Sequence, residues 1–282
     1  MGVTAALIQM CSGDDPTSNL SQVRDYLRQA AAEGAQIAMT PEVTNCVSTS
    51  AAHQARVLQR EDADITLAAL RAEARSLGIW VLIGSLALKT GDPDGRFANR
   101  SFLIDPEGEI RARYDKIHMF DVQVSPTETY RESAGFRPGT AAVVAQTPLA
   151  TLGLSICYDL RFGHLYRSLA QAGAEVLTVP AAFSPITGAA HWEVLLRARA
   201  IETGCFVLAP AQTGRHATTE GRARSTHGHT LAVAPWGEVL LDMGTAPGVG
   251  LVRLDLARLL EARERVPALF HDRPFTPPVT RP

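Results

Sequence analysis

Short apolar runs and amphipathic stretches alternate along the chain, a pattern typical of strands joined by helices. Residues 5–10 form an apolar run of strand length. The segment after it carries apolar residues at every third or fourth position, which places them on one helix face: Leu20, Val23, Leu27 and Ala30. Asn19 can cap this predicted helix, and Gly34 can end it.

The same alternation continues through the first half of the chain. A strand over residues 36–40 ends at Thr40-Pro41-Glu42. Because proline cannot continue a central ladder, Glu42 is expected at the carboxyl edge of that strand, where α/β folds place their chemistry. The pattern then predicts a helix over 64–77 that Gly78 ends, a strand over 79–85, and a hairpin of strands over 101–104 and 109–114.

The second half repeats this order of elements. It contains a predicted helix over 191–203 that Gly204 ends, a strand over 205–209, and a hairpin of strands over 230–233 and 238–241. Both hairpins turn on Pro-x-Gly-Glu, which indicates an internal duplication. We therefore expect an α/β fold in which two pseudo-equivalent halves each supply a mixed sheet, packed as a four-layer α-β-β-α sandwich.

The expected domain organisation is a single domain over residues 1–275 followed by a tail over 276–282. Residues 250–265 predict a last strand and a charged helix. The segment beyond Val266 is rich in proline, arginine and histidine and has no periodicity. Phe270 and Phe275 would need cover, which favours contact with a neighbouring subunit over disorder.

Composition narrows the classes of function. The chain has 282 residues, 46% of them hydrophobic, and a formal net charge of −2, so nothing draws it as a whole to nucleic acid or to an anionic membrane. The opening residues lack a basic region, and no apolar run reaches membrane-spanning length. We expect a cytoplasmic protein.

The cysteines and histidines do not form a metal or disulfide pattern. Cys11, Cys46, Cys157 and Cys205 are scattered without CxxC spacing, which disfavours a disulfide framework and suits a reducing compartment. No cysteine or carboxylate completes a ligand set with the three nearby histidines: His216, His227 and His229. No metal site is expected.

Cys157 lies where an apolar strand pattern stops and a helical pattern starts after Phe162. A thiol ahead of a helix N-terminus sees the positive end of the macrodipole, which lowers its pKa, and free N–H groups that can hold an oxyanion. The alternative is a small apolar residue that ends a buried strand. Asp159 and Arg161 flank the thiol and predict a local ion pair that steadies the turn.

Two further charged residues gain meaning beside Cys157. Lys116 lies where the second hairpin arm enters a long loop, and Glu132 lies in the polar loop before Gly135. Taken alone, each is compatible with a solvated surface charge, as is Glu42. The combination of a thiol, two carboxylates and an amine is what indicates nucleophilic catalysis.

Several motifs, in order along the chain, resemble the nitrilase superfamily of carbon–nitrogen hydrolases. They cover nearly the whole chain and are Pro41-Glu42, Tyr114-Asp115-Lys116-Ile117-His118, Arg131-Glu132-Ser133, Ile156-Cys157-Tyr158-Asp159-Leu160-Arg161-Phe162 and Ala190-His191-Trp192-Glu193. The chain looks most like the amidase branch that acts on deaminated glutathione and on omega-amides. Residues 187–203 and Gly214-Arg215-His216 resemble the former more closely.

The resemblance implies roles for five residues. Cys157 would attack the amide carbonyl, and Glu42 would take the thiol proton and return it to the leaving nitrogen. Lys116 and the backbone N–H of Tyr158 would hold the oxyanion. Glu132 would orient Lys116 and the substrate amide. The mechanism needs no metal and no other cofactor.

The substrates of this branch carry a carboxylate away from the scissile amide, which calls for a cationic clamp. Arg215 and Arg222 are the candidates for it. Phe183 and Trp192 are expected as pocket walls or packing residues, and His191 as a further substrate-binding candidate.

Four alternatives stay open. The chain could be an omega-amidase acting on 2-oxoglutaramate or 2-oxosuccinamate, or a true nitrilase. It could be another cysteine hydrolase on a single doubly wound sheet, although that fold does not need the duplicated hairpins. It could also be a non-catalytic binding or assembly member. The expected partners are a small amide substrate and further copies of the chain in a homodimer or larger assembly, with no nucleic acid and no membrane.

Overall fold

A computed structural model describes residues 2–126 and 128–278. The strands in this part of the chain are β1 (Gly2–Gln9), β2 (Ile37–Met39), β3 (Trp80–Lys89), β4 (Phe97–Ile104), β5 (Ile110–Asp115), β6 (Asp121–Ser125), β7 (Glu128–Arg131), β8 (Val143–Gln146), β9 (Thr151–Leu154), β10 (Val176–Thr178), β11 (Phe206–Ala209), β12 (Thr213–Arg215), β13 (Ser225–His227), β14 (Leu231–Val233), β15 (Val239–Asp242) and β16 (Gly248–Asp255). The α-helices are α1 (Pro16–Ala32), α2 (Ala51–Val57), α3 (Ile65–Leu77), α4 (Gly163–Gln171), α5 (Pro185–Thr203) and α6 (Ala257–Arg265).

The larger strands form two six-stranded mixed sheets with matching topology. The first has the order β16-β1-β2-β3-β4-β5, and the second has the order β15-β14-β11-β10-β9-β8. In each sheet three neighbouring strands are parallel, and the remaining three are antiparallel to their neighbours. The predicted α/β four-layer sandwich of two pseudo-equivalent halves is confirmed.

One strand of the first sheet comes from the second half of the chain. β16 comes from the C-terminal end of the chain, yet it pairs with β1 over its whole length, from Gly2 opposite Asp255 to Gln9 opposite Gly248. It occupies the place beside β1 that β8 occupies beside β9. The first sheet is therefore completed by the second half, which closes an edge of β1 that would otherwise be open to unwanted pairing.

The first sheet has an apolar layer on each of its two faces, and alternate residues of β1 contribute to one or the other. Ala5 and Leu7 of β1 face the core shared with the second sheet. Ala6 and Ile8 face the opposite layer, which contains residues of α1 and α3. Because successive strand residues point to opposite faces, a single apolar run serves both layers.

The helix ends show which capping predictions hold. α3 follows Asp64, whose side chain accepts from the N–H of Leu67, and Gly78 ends it at φ +66°, as predicted. The predicted cap of α1 is wrong, because Asp15 and not Asn19 caps that helix, with Pro16 as the first helical residue. Asn19 is buried in the first turn and bonds instead to Gly13 and Asn45.

The C-terminal segment follows α6 along the surface. Arg167 and Gln171 of α4 donate hydrogen bonds to Asp272, and Arg167 also donates to the carbonyl of Ala268. Phe270 and Phe275 remain 77% and 84% exposed. The predicted tail over 276–282 is described as far as residue 278, and residues 279–282 lie outside the described part. Among the described helices, none combines the length and the apolar character that crossing a bilayer requires.

Candidate active site

A cavity of about 390 Å³ opens beyond the carboxyl ends of the central strands. Its walls come from loops of both halves, and its volume falls in the range of small-ligand sites. Seven of the predicted site residues line it: Glu42, Lys116, Glu132, Cys157, Tyr158, Phe183 and Arg222.

Lys116 lies between two carboxylates at the base of this cavity. It follows β5, and its Nζ donates to Oε1 of Glu42 at 2.9 Å and to both carboxylate oxygens of Glu132 at 2.9 and 2.8 Å. The side chain is only 2% exposed. Burial would lower the pKa of Lys116, but the charges of Glu132 and Glu42 raise it above its usual value. Lys116 is therefore held as an ammonium.

Glu42 is fixed by donors from distant parts of the chain. Besides Lys116, its Oε1 accepts from Nδ2 of Asn99 at 2.9 Å, and its Oε2 accepts from the backbone N–H of Ala182 at 2.8 Å. Burial would raise the pKa of Glu42, but Lys116 and the charge of Arg224 lower it below its usual value. The group is therefore a buried carboxylate whose charge is balanced by its neighbours.

The backbone after Glu42 is strained. Val43 has φ +46°, in the left-handed region that β-branched residues avoid. Its N–H donates to Oγ of Ser85 at 2.8 Å, which helps to hold the turn. Strain of this kind persists only where the surroundings over-determine the conformation, and it is common at functional sites.

Cys157 stands on a second strained turn, at φ +49°. Its N–H donates to the carbonyl of Pro180 at 2.9 Å. The residue begins a 3-10 helix, Cys157–Arg161, and α4 starts only at Gly163. The thiol lies close enough to the Glu42 carboxylate and to the N–H of Ala182 for both to shift its pKa.

The expected lowering of the Cys157 pKa is wrong for this resting site. Burial raises the pKa of the thiol well above its ordinary value, the Glu42 charge raises it further, and Lys116 only partly offsets both. The sequence pattern shows the turn but not the depth of burial or the neighbouring carboxylate. The site therefore holds a neutral thiol beside a base that can take its proton.

The turn around Cys157 is held by Asp159, which is fully buried. Oδ2 accepts from the hydroxyl of Tyr114 at 2.7 Å and from the N–H of Ile156 at 2.9 Å. Oδ1 accepts from the backbone N–H of His118 at 3.0 Å and lies 2.7 Å from its Nδ1. The predicted ion pair between Asp159 and Arg161 is wrong, because these partners already use both oxygens of Asp159.

The first turn after the thiol also leaves a donor free. Among the described residues, the backbone N–H of Tyr158 has no hydrogen-bond acceptor. When Cys157 attacks a carbonyl carbon, the carbonyl oxygen becomes an oxyanion. This N–H and the Lys116 ammonium are donors that could stabilise it.

Three arginines, which we call the arginine wall, also line the cavity: Arg131, Arg222 and Arg224. Nη2 of Arg224 donates to the carbonyl of Ala182 at 2.5 Å, and its guanidinium lies 5.7 Å from the Tyr130 ring centroid. Arg222 is exposed at the mouth, where its backbone exchanges hydrogen bonds with Thr49. Because Lys116 already engages both lining carboxylates, the wall gives the cavity a positive character.

Three of the predicted substrate-binding residues lie outside the cavity lining. Arg215 is exposed on β12, and His191 is exposed on α5, with its Nδ1 3.3 Å from the Arg161 guanidinium. Trp192 packs against Phe183 with ring centroids 4.8 Å apart, and its Nε1 donates to the carbonyl of His229. Trp192 thus supports the wall that Phe183 forms.

Some lining residues were not anticipated. Asn99 donates to Glu42 and Glu132, and its Oδ1 is buried without a hydrogen-bond partner among the described residues. In the sequence it lies two residues ahead of the strand predicted over 101–104, and only the longer observed strand β4 includes it. Arg224, by contrast, lies in a loop with several arginines, where sequence alone does not single it out. Within residues 2–126 and 128–278, no cluster of three or more His, Cys, Asp or Glu side chains could hold a metal.

The chain is similar to known proteins over nearly its whole length. A family model described as carbon-nitrogen hydrolase matches residues 4–264. A Yersinia enterocolitica protein called deaminated glutathione amidase is 41% identical over 269 residues, which cover 95% of this chain and 92% of that protein. The range that the family model matches contains the positions of Glu42, Lys116 and Cys157.

Two solved structures extend the similarity to the fold. The C. elegans NitFhit protein aligns with a TM-score of 0.87 and 34% identity over 96% of this chain and 65% of that one, so this chain spans about two thirds of NitFhit. A mutant of the amidase from Nesterenkonia sp. AN1, showing Michael addition of acrylamide at its active site cysteine, aligns with a TM-score of 0.76 and 26% identity, over 94% of this chain and 98% of that one.

Proposed function

Because the chain belongs to the carbon–nitrogen hydrolase family, we propose that it is an amidase for a small carboxylate-bearing amide, with deaminated glutathione as the preferred substrate. The placement of the Cys157 thiol and the Glu42 carboxylate in one buried site, with the Lys116 ammonium bonded to that carboxylate, carries the proposal. The name of the Yersinia relative supports the substrate.

Acylation begins at the thiol. Glu42 takes the proton of Cys157 as the sulfur attacks the amide carbonyl carbon, and the carbonyl π electrons move to oxygen. The Lys116 ammonium and the Tyr158 N–H stabilise the resulting oxyanion. A base is needed here because burial keeps the thiol protonated.

The tetrahedral intermediate then collapses. The protonated Glu42 gives its proton to the leaving nitrogen, the C–N bond breaks, and the amine departs while the acyl group stays on Cys157 as a thioester. Glu42, again a carboxylate, takes a proton from water as the water oxygen attacks the thioester. The acid leaves, and the proton returns to the sulfur. Glu132 keeps Lys116 in place throughout through its two hydrogen bonds.

The arginine wall supports an anionic substrate. Deaminated glutathione carries carboxylates on both sides of the scissile amide, and guanidinium groups are the side chains best suited to bind carboxylates. Arg222 lies at the mouth, where the amine product has to leave. We assign Arg222 to the carboxylate on the leaving side.

A substrate panel tests the proposed function. Release of amine or ammonia is measured with deaminated glutathione, 2-oxoglutaramate, 2-oxosuccinamate, glutamine and a simple nitrile. We expect the highest kcat/KM for deaminated glutathione. A preference for the two omega-amides would assign the chain to omega-amidase chemistry, turnover of the nitrile alone would make it a nitrilase, and no turnover at all would favour a binding role.

We also propose that the protein is a cytoplasmic homodimer or larger homo-oligomer. The four cysteines are free, as expected for a reducing compartment. The outer face of α5 exposes Val194 and Ile201, and the C-terminal segment exposes Phe270 and Phe275. Light scattering of the whole chain should give at least twice the monomer mass, and the monomer mass at micromolar concentration would contradict the proposal.

A further inference from the structure

Two buried hydroxyl groups at the start of α5 have no hydrogen-bond partner among the described residues. They are Oγ of Ser184 and Oγ1 of Thr187. Ser184 is 1% exposed and precedes the first residue of the helix, but its side chain makes no capping bond. Both residues line the active-site cavity. Because buried polar groups are nearly always paired in native proteins, two orphaned hydroxyls on one cavity wall indicate a ligand that pairs them.

The backbone at the N-terminus of α5 is suited to bind an anion. α5 is 19 residues long, and its first turn contains no acidic residue. Pro185 has no N–H, and the N–H groups of Ile186 and Thr187 have no acceptor among the described residues. Unpaired N–H groups and the positive end of the macrodipole together make a helix N-terminus an anion site. The carboxylates of Glu42 and Glu132 face the same cavity, but Lys116 pairs with both of them.

This end of α5 lies close to the nucleophile. The N–H of Ala182 donates to Glu42, the N–H of Cys157 donates to the carbonyl of Pro180, and Ser184 is two residues beyond Ala182 in the chain. Two residues span at most about 7 Å, which matches the reach of an acyl chain of about four or five carbons. The acyl group stays on the sulfur after the amine has left, so its own contacts have to lie in this buried part of the cavity and not at the exposed mouth.

We propose that the start of α5 is the acyl subsite, where Ser184 Oγ, Thr187 Oγ1 and the free N–H groups of the first turn bind the carboxylate at the acyl end of the substrate. The inference rests on the proposed function in that the substrate is an amide of a short dicarboxylic acid. Arg222 at the mouth then serves the opposite, leaving-group end. The two ends of the substrate are recognised by different chemistry, hydroxyl and backbone donors at one end and a guanidinium at the other.

A binding measurement tests the acyl subsite without turnover. 2-Oxoglutarate, the acid that deaminated glutathione would release, is titrated calorimetrically into the Cys157→Ser protein and into the same protein carrying Ser184→Ala or Thr187→Val. We expect each second substitution to raise the Kd about tenfold, because each removes one hydrogen bond to a charged group. Thr187→Ser keeps the hydroxyl and should bind within about twofold of the parent. Ser168→Ala, an exposed hydroxyl on α4, is the control for serine loss.

Thermal unfolding separates a binding role from a structural one. Since Ser184 Oγ makes no bond within the described protein, Ser184→Ala should melt no lower than its parent. A Kd within twofold of the parent for both Ser184→Ala and Thr187→Val would overturn the proposal, and so would a parent that does not bind 2-oxoglutarate.

Turnover of the wild-type protein distinguishes this failure from failure of the proposed function. If the wild-type protein hydrolyses deaminated glutathione but neither variant changes the Kd for 2-oxoglutarate, the amidase function stands and the acyl subsite is rejected. If the variants raise the Kd but the wild-type protein does not hydrolyse deaminated glutathione, the subsite stands and deaminated glutathione is rejected as the substrate. For a neutral matched amide, pentanamide, Ser184→Ala should leave kcat/KM within about twofold while lowering it about tenfold for glutaramate.

Discussion

The backbone N–H of Ala182 donates to Oε2 of Glu42 at 2.8 Å, a hydrogen bond between residues 140 positions apart. It joins the loop after β10 to the loop after β2, and so the second half of the chain to the first. The base therefore comes from one half and the thiol from the other. Glu42 is aimed at Cys157 only where the two sheets pack together, so the site depends on the duplication.

Replacing Glu42 by glutamine tests its role as the base. Glu42→Gln keeps the size of the side chain and can still accept from Ala182, but it cannot take the thiol proton. Because general base catalysis contributes roughly 10²- to 10⁴-fold, kcat/KM should fall by at least about 10²-fold. Mass spectrometry of a quenched reaction should show little acyl-enzyme.

The outcome separates two parts of the reaction. Rapid accumulation of a full equivalent of thioester in Glu42→Gln would restrict Glu42 to the second step. Asp92→Asn, a carboxylate on a surface loop, is the control for the loss of an acidic group and should keep the wild-type rate.

Replacing Cys157 tests the nucleophile. Cys157→Ala should abolish hydrolysis, and Cys157→Ser should lower it by at least about 10³-fold, since the thiolate is the stronger nucleophile. Both variants should unfold within about 1 kcal/mol of the wild type, because the thiol packs as a small group and is not part of the Asp159 network. Retention of most of the rate by Cys157→Ala would refute the assignment.

The dependence of kcat/KM on pH follows from the direction of the pKa shifts. Burial would raise the pKa of Glu42, but Lys116 and Arg224 lower it, so the base stays ionised as the pH falls below 7 and the acid limb lies below the usual range for glutamate. Glu132 and Glu42 raise the pKa of Lys116 above its usual value despite its burial, so this ammonium stays charged at alkaline pH. We expect a profile that is flat between about pH 5 and pH 9.

Arg224→Gln should shift the acid limb of the pH profile of kcat/KM. It removes a positive charge that lowers the Glu42 pKa, so the acid limb should move to higher pH while the alkaline limb stays. An acid limb unchanged within about 0.2 pH units would show that Arg224 does not act on Glu42 through its charge.

Arg222 and Arg215 allow a matched comparison of two exposed arginines. Arg222 lines the cavity and Arg215 does not. Arg222→Met should raise the KM for deaminated glutathione about three- to tenfold, with little change for a neutral amide, because an exposed ion pair is partly screened by water. Arg215→Met should change the KM by less than about twofold. Equal effects of Arg222→Met on the charged and the neutral substrate would contradict the assignment.

The sequence pattern was informative wherever a local rule decides the structure. Because proline cannot continue a central ladder, Pro41 allowed Glu42 to be placed at the edge of a strand. Gly78 takes the left-handed conformation that ends α3. The repeated hairpins indicated two equivalent sheets. The exchange of β16 into the first sheet was not foreseeable, since the pattern identifies a strand but not its partner.

The site itself depended on contacts that a sequence does not display. The turn at Cys157 could be predicted, but the direction of its pKa shift reverses through burial and through Glu42, which lies 115 positions away in the chain. Asp15 and Asn19 are both good caps, and only the buried bonds of Asn19 to Gly13 and Asn45 decide between them. The roles of Glu42, Lys116 and Cys157 stay predictions that the substitutions above test.

Asp159 offers a test of how the strained turn at Cys157 is maintained. Each of its two carboxylate oxygens accepts from a backbone N–H, Oδ2 from Ile156 and Oδ1 from His118, so an amide NH₂ group at either position would face a donor and leave it unpaired. Asp159→Asn should therefore lower the free energy of unfolding by about 1–3 kcal/mol, the usual cost of unpaired buried polar groups.

The effect of Asp159→Asn on catalysis should be selective. Because Asp159 does not line the cavity, KM should change little, whereas kcat should fall as Cys157 loses its fixed orientation toward Glu42. Chemical denaturation and steady-state kinetics on the same preparation measure the two effects together. A stability loss with kcat intact would mean that the bond from Cys157 N–H to Pro180 and the packing around the thiol hold φ at +49° without help from the carboxylate. The Asp159 network would then serve the fold and not the reaction.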